Sequence, residues 1–302
     1  MRIAIAGGTG FIGTYLIRDW MEKKREVIVI TRKCDGRVQG KFPGVRCFSW
    51  DDLKRNPSPL EHLDALVNMA GESINSGKWT NEQKERILLS RIESTRSIAQ
   101  MVGKLTSGPR VILNGSAIGI YGHSTVQKFD ESSRAYGSDF LAQVTKKWEE
   151  EADHIPAPRI VKIRTGVVLG KDGGAFPKMA FPYRLFAGGK IGSGSQWLSW
   201  IHIADYVRLL NFCIERESIA GPINATAPHP VTNDDFGRVL ARAAHRPHWL
   251  PVPEFAMKLL LGEMADLVLK GQHVEPRKLM EAGFRFEYDT VEKALAELMA
   301  TE

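Results

Sequence analysis

Apolar residues along this chain fall into short unbroken runs and into stretches of helical spacing, and the two alternate. Ile3–Ala6, Val27–Thr31, Ala65–Ala70, Arg110–Ser116 and Arg159–Thr165 are runs rich in aliphatic side chains. Between them, Phe11–Lys24, Asn81–Leu105 and Phe140–Asp153 set apolar residues three and four apart, with charged residues in between. A strand that is apolar at consecutive positions is covered on both faces, and intervening helices supply the cover. The pattern predicts an α/β fold, a Rossmann-type doubly wound parallel sheet with right-handed crossovers, over residues 1–170.

After Gly170 glycines and prolines cluster, and shorter helical patterns follow at Ile203–Glu215, Asn233–Ala244, Glu254–Leu269 and Thr290–Met299. Residues 171–245 are expected to supply substrate-lobe elements and, over about 196–228, to complete the sheet. Residues 246–302 are expected to form a small, mainly helical C-terminal domain. The loop from Gly188 to Gln196, ahead of Trp197 and Trp200, has the polar, glycine-rich texture of a lid that supplies backbone donors.

The sharpest local signal is Gly7-Gly8-Thr9-Gly10-Phe11-Ile12-Gly13, between the first strand and the first helix. Gly7 permits a tight turn, Gly10 a close approach of backbone to a pyrophosphate, and Gly13 close packing of helix on strand. The helix N-terminus then offers free N–H groups to the phosphates. Where an NAD-preferring chain places a carboxylate about 20 residues on, this one reads Thr31-Arg32-Lys33, with Arg32 nineteen residues after Gly13. A guanidinium beside a hydroxyl suits a 2′-phosphate, so NADP(H) is the expected cofactor.

Composition narrows the class further. The 302 residues hold 41 Lys+Arg against 35 Asp+Glu, a net charge of +6. That mild excess favours anionic small molecules, and no basic stripe interleaves with the tryptophans, so nucleic acid is not expected. Cys34, Cys47 and Cys213 are odd in number and far apart. Neither a disulfide nor a zinc site is expected from them, and a reducing, cytoplasmic setting fits. The N-terminus reaches its glycines before a signal-peptide apolar region develops. Phe255–Leu269 carries Lys258, Glu263 and Asp266, which argues against a membrane span. His245 and His248 have no carboxylate or cysteine at ligand spacing, so no metal is expected.

These residues resemble the extended branch of the short-chain dehydrogenase/reductase superfamily. The glycine spacing is that branch's fingerprint. Asn68-Met69-Ala70-Gly71-Glu72 looks like its strand-4 motif, and Asn114–Gly122 looks like the segment carrying its catalytic serine, matched by Ser116. Trp200-Ile201-His202-Ile203-Ala204-Asp205 resembles a segment of sugar-nucleotide epimerases. A narrower likeness adds Trp79, Ser90-Arg91, Arg164–Gly170, Gly192-Ser193-Gly194, Leu250-Pro251-Val252-Pro253 and Gly283–Phe286. It points to an epimerase-like subfamily that ends in a small domain of unassigned function. The resemblance implies nucleotide contacts at Gly7, Thr9, Gly10, Phe11, Ile12, Gly13, Thr31, Arg32, Met69, Ala70, Gly71, Glu72, Arg91 and Ser116. It also implies a small-molecule substrate, either a nucleotide sugar or another carbonyl or hydroxyl compound, and a monomer or homodimer.

The chain departs from that superfamily at the chemistry. Its members use a tyrosine with a lysine four residues later, the lysine lowering the phenol's pKa. No tyrosine here has that lysine. Setting Phe140 at the tyrosine position puts Val144 at the lysine position, and setting Lys146 at the lysine position puts Ala142 at the tyrosine. The remaining candidates each have two readings. Ser116 either bonds a substrate oxygen or is a satisfied strand-end serine; Tyr121 is either a surrogate acid or a packing residue; Lys146 is either a ribose or phosphate contact or a solvated helix lysine. His202 with Asp205 is expected to be structural rather than a proton relay. Two functions follow as expectations: an NADP(H)-binding epimerase-like oxidoreductase, or an NADP(H) sensor without turnover.

Overall fold

The central sheet has seven strands: β1 (Arg2–Ala6), β2 (Glu26–Thr31), β3 (Arg46–Ser49), β4 (Ala65–Asn68), β5 (Val111–Ala117), β6 (Ile160–Thr165) and β7 (Gly221–Ala225). Their order is β7-β6-β5-β4-β1-β2-β3, and all neighbours are parallel. The structure, a computed structural model, describes residues 1–300. The chain winds away from β1 in both directions, so the crevice at the carboxyl ends of β1 and β4 is the switch point where ligands bind in such sheets.

Both faces of the sheet are buried, as the unbroken apolar runs require. Ile3 and Ile5 of β1 join Leu16, Ile17 and Trp20 on one side, while Ala4 and Ala6 join Ile98 and Met101 on the other. The first side is covered by α1 (Phe11–Glu22) and α7 (Ile203–Glu215), tied by Trp20 Nε1 donating to Asn211 at 2.9 Å. On the second side lie α3 (Trp50–Arg55), α4 (Asn81–Val102) and α5 (Phe140–Ala152). Thr80 and Asp139 cap α4 and α5 by accepting the amides of Gln83 and Ala142. The short α2 (Arg37–Lys41) lies between β2 and β3.

The C-terminal lobe packs α6 (Phe176–Arg184), α8 (Asn233–Ala244) and α12 (Val291–Met299) around Trp200, Phe236, Leu240 and Leu295. Three further short helices are α9 (Glu254–Leu261), α10 (Asp266–Leu269) and α11 (Arg277–Glu281).

One expectation is narrowed and one corrected. Of residues 196–228 only β7 joins the main sheet, because it takes the free edge of β6. Trp197–Leu198 pairs with Val231–Thr232 instead, and Trp200–His202 with Val167–Gly170. Second, Cys34 and Cys47 form a disulfide, with Cα atoms 5.9 Å apart. The pairing of β2 with β3 sets Cys47 opposite Val29, and the turn after β2 brings Cys34 back to that edge. Spacing along the sequence does not reveal this closure. Cys213 is free and buried.

Candidate functional site

The turn after β1 is built by exclusion of side chains. Gly7 has φ +83°, and a Cβ there would lie 2.7 Å from the Met69 carbonyl and 2.9 Å from the Ala70 nitrogen. A Cβ on Gly13 would lie 2.5 Å from the Gly7 oxygen, so α1 can sit this close to β1 only with glycine. Gly10 is the N-cap and no side chain caps the helix, which leaves first-turn N–H groups directed at the crevice. Phe11 and Ile12 offer only backbone to that crevice: the Phe11 ring packs on Gly170, Gly173 and Gly174, and Ile12 packs against the core.

Beside this turn opens a cleft of about 440 Å³ lined by Thr9, Thr31, Arg32, Lys33, Asp35, Arg37 and Lys41, with Val38 and Phe42 as its apolar floor. Four cations face one carboxylate. Asp35 is taken by Arg37 at 2.6 Å, and Lys41 donates to Thr14 at 3.1 Å. Arg32 and Lys33 are exposed and make no ion pair among the described residues. Arg37 and Lys41 escaped the sequence reading, although four basic residues within ten positions of the end of β2 were a visible signal.

Arg91 does not reach this cleft. One Nη donates to the carbonyls of Glu72 (3.0 Å) and Ile87 (2.8 Å), and the guanidinium lies over Trp148. Burial pushes its pKa down to about 10, against the pull of Glu72. It clamps the segment after β4, where its side chain also leaves little room for a Cβ at Gly71. The Glu72 amide is held by Ser90 Oγ at 2.9 Å, and its carboxylate by Ser76.

At the carboxyl ends of β5, β6 and β7, Ser116, Arg164 and Asn224 lie in register side by side. Glu149 of α5 comes down on them. Arg164 donates to both Glu149 oxygens at 2.8 and 2.9 Å, and Ser116 Oγ donates to Glu149 at 2.6 Å. Tyr121 accepts from Arg164 and donates to Asn224, each at 2.8 Å. All five side chains are buried. Burial pushes the Tyr121 phenol up to about 12, with Arg164 and Asn224 opposing, the reverse of what an acid/base tyrosine needs. Ser116 and Tyr121 are therefore spent on a buried ion pair in this structure, and Lys146 stands on the solvent side of α5. Glu149 was readable: it falls on the same helix stripe as Ala142, Thr145, Trp148 and Ala152. A glutamate in such a stripe needs a buried partner.

Where the Tyr–Lys pair would stand, Phe140 and Val144 join Trp79, Ile87, Met264 and Leu267 in an apolar cluster. The ring of Phe140 meets Trp79 edge-on at 5.2 Å. The C-terminal lobe thus covers that position with its own side chains. Tyr136, 48% exposed, has its ring 5.9 Å from the Arg164 guanidinium, in contrast to the buried Tyr121.

The loop from Gly188 to Gln196 is not free. Gly188 O accepts the amides of Trp249 and Leu250, Ile191 bridges to Val252, and buried Gln196 donates to Val268 O. His202 caps α7 and bonds Glu297 at 3.0 Å; Asp205 accepts the amides of Glu287 and Tyr288, tying the tail to α7. His248 bonds Asp234 and Tyr183.

The profile of the NAD dependent epimerase/dehydratase family matches residues 3–225, and that of a domain of unknown function, DUF1731, matches residues 252–298. The chain is 42% identical to the epimerase family protein YfhF of Bacillus subtilis (strain 168), over 99% of this chain and 98% of that protein. It is similar to the human epimerase family protein SDR39U1 (isoform 2), whose crystal structure is with NADPH: TM-score 0.90, 33% identity, 99% of each chain covered. It also superposes on the nucleoside-diphosphate sugar epimerase from Corynebacterium glutamicum, with TM-score 0.79 and 32% identity, over 99% of this chain and 58% of that one.

Proposed function

Because the chain belongs to the NAD dependent epimerase/dehydratase family, we propose that it is an NADP(H)-dependent oxidoreductase of the epimerase type. The observation that carries this reading is the cationic cleft beside the glycine turn, in which Arg32 and Lys33 have no anion of their own. Arg32 and Lys33 would hold a 2′-phosphate, and the uncapped first-turn N–H groups of α1 would hold a pyrophosphate. The Gly7 and Gly13 contacts leave the crevice open to backbone approach, as a dinucleotide requires. Met69 to Glu72, clamped by Arg91, line the nucleoside side. The NADPH-bound human relative supports the same cofactor choice.

Bound NADPH supplies the hydride. This chain's part is to hold the substrate at the carboxyl edge of the sheet and to manage its proton. We assign Ser116, Tyr121 and Glu149 to holding Arg164, and the accessible Tyr136 phenol beside that guanidinium to proton exchange with substrate. The substrate class is a nucleotide sugar, the compounds for which the Corynebacterium glutamicum epimerase is named, or another carbonyl or hydroxyl compound. A monomer or homodimer is the proposed form; no helix among the described residues is long and apolar enough to cross a membrane.

The occupied state of Ser116 and Tyr121 favours a second reading, cofactor binding without turnover. Single-turnover absorbance of NADPH against carbonyl and nucleotide-sugar panels separates the two. The oxidoreductase reading expects oxidation with at least one class, slowed about 10²-fold or more by Tyr136→Phe. Oxidation with none leaves the sensor.

A further inference from the structure

We propose that the C-terminal end of α8 carries a second anion site, for an organic phosphate, separate from the cofactor cleft. A surface basin of about 570 Å³ is lined there by Arg238, Ala241, Arg242, His245, Arg246 and His248. It shares no residue with the cleft at β2.

The charges do not cancel locally. No carboxylate among the described residues lines the basin; Asp234, outside it, has its two oxygens taken by Arg238 and His248 at 2.9 Å each. Among the described residues Arg242 and Arg246 have no carboxylate partner. The α8 dipole leaves about half a negative charge at this end, which accounts for one flanking cation and not for both of these guanidiniums.

Arg246 is also positioned rather than loose. Its guanidinium lies 4.4 Å over the Phe186 ring, one Nη donates to the His245 carbonyl at 3.1 Å, and its Nε is buried with no hydrogen-bond partner. A buried donor without a partner is costly, and it marks Arg246 as held in place by its packing rather than by a charge partner. The rim offers a flat apolar surface: Trp249 is 66% exposed and Phe186 55%. The Trp249 indole N–H holds the Phe186 carbonyl at 2.9 Å, and Phe186 keeps φ +60°, a conformation that β-carbon-bearing residues hold at a cost and that recurs at ligand clamps. Guanidiniums beside exposed rings suit a phosphate attached to a planar or apolar body.

The phosphate could belong to a soluble metabolite or to a lipid headgroup, and the test has an arm for each. The full chain is titrated with pyrophosphate and with AMP by calorimetry. It is also sedimented with phosphatidylcholine vesicles with and without phosphatidylglycerol. Parent, Arg242→Glu, Arg246→Gln and Arg32→Ala proteins are compared, with thermal midpoints as the check on folding. Binding of pyrophosphate or AMP that weakens about tenfold or more in the two α8 variants, and persists in Arg32→Ala, supports a soluble organic phosphate. Sedimentation that needs phosphatidylglycerol and is lost in the same variants supports a headgroup. Binding in no arm, binding unchanged by the α8 variants, or binding lost only in Arg32→Ala overturns the site. Arg242 is exposed and unpaired, so its variant keeps the test open if Arg246→Gln is unstable.

Discussion

Arg164 and Glu149 form a buried ion pair with two-point geometry, and removing one partner strands the other. Arg164→Ala is expected to lower unfolding stability in urea by about 3–5 kcal/mol, while the double change Arg164→Met with Glu149→Leu costs less, because no charge is left behind. A loss equal in both would contradict a network held mainly by its charges. Arg32 behaves in the opposite way. It is exposed and bonded to nothing in the chain, so Arg32→Ala should leave stability within about 0.5 kcal/mol. It should weaken NADPH binding roughly 10- to 100-fold with little effect on NADH, the scale of one or two charge-assisted hydrogen bonds. At this scale the sequence was uneven. The glycines and Arg32 were legible because their roles depend on local backbone and spacing. The fate of Ser116 was not, since its partner Glu149 lies 33 residues away and meets it only through the docking of α5 on the sheet.

The element that changes most between expectation and structure is the segment from β2 to β3. β3 is an edge strand whose residues are only partly covered, so it lacks the apolar run that announces a strand. Its pairing with β2 nevertheless closes the Cys34–Cys47 bridge, which ties the far end of the Arg32–Lys33 loop to the sheet. Titration of thiols in denaturant without reductant is expected to find one reactive cysteine, Cys213, and three after reduction. Three thiols from the start would contradict the bridge. Opening a loop with a sequence separation of 13 should cost up to about 3 kcal/mol of unfolding stability in the chain-entropy view. The helices α4 and α5 matched their predicted spans closely because their caps, Thr80 and Asp139, are local signals. The short strands of the C-terminal lobe have two to four residues each, too few for a period to emerge.

Over the whole molecule, two buried histidines, His202 and His273, favour the uncharged ring in the folded state. Burial lowers the pKa of His202 and of His273 below the ordinary 6.5, with Glu297 and Glu275 pulling the other way. As pH falls through 6.5, the unfolded chain takes up these protons before the folded one. Stability is therefore full above that value and declines below it. The urea midpoint is expected to drop between about pH 7.5 and pH 5.5, and to flatten in His202→Gln with His273→Gln. Glu131, whose pKa burial raises above its ordinary 4.5, acts in the opposite direction, adding stability as pH falls. A midpoint that stays level in the parent would remove the histidines from the account.

The doubly wound sheet was legible as a whole because both of its faces are dry, a condition that writes itself into consecutive apolar residues. What the sheet carries at its carboxyl edge depends on which charges find one another after folding. The claim on which the rest depends is that the free cations beside the glycine turn recognise a 2′-phosphate. Fluorescence titration of the parent protein with NADPH and NADH, in the same buffer, tests it directly. Binding of NADPH at least about tenfold tighter, a difference of roughly 1.4 kcal/mol, is the predicted result. Equal affinities, or tighter NADH, would contradict it.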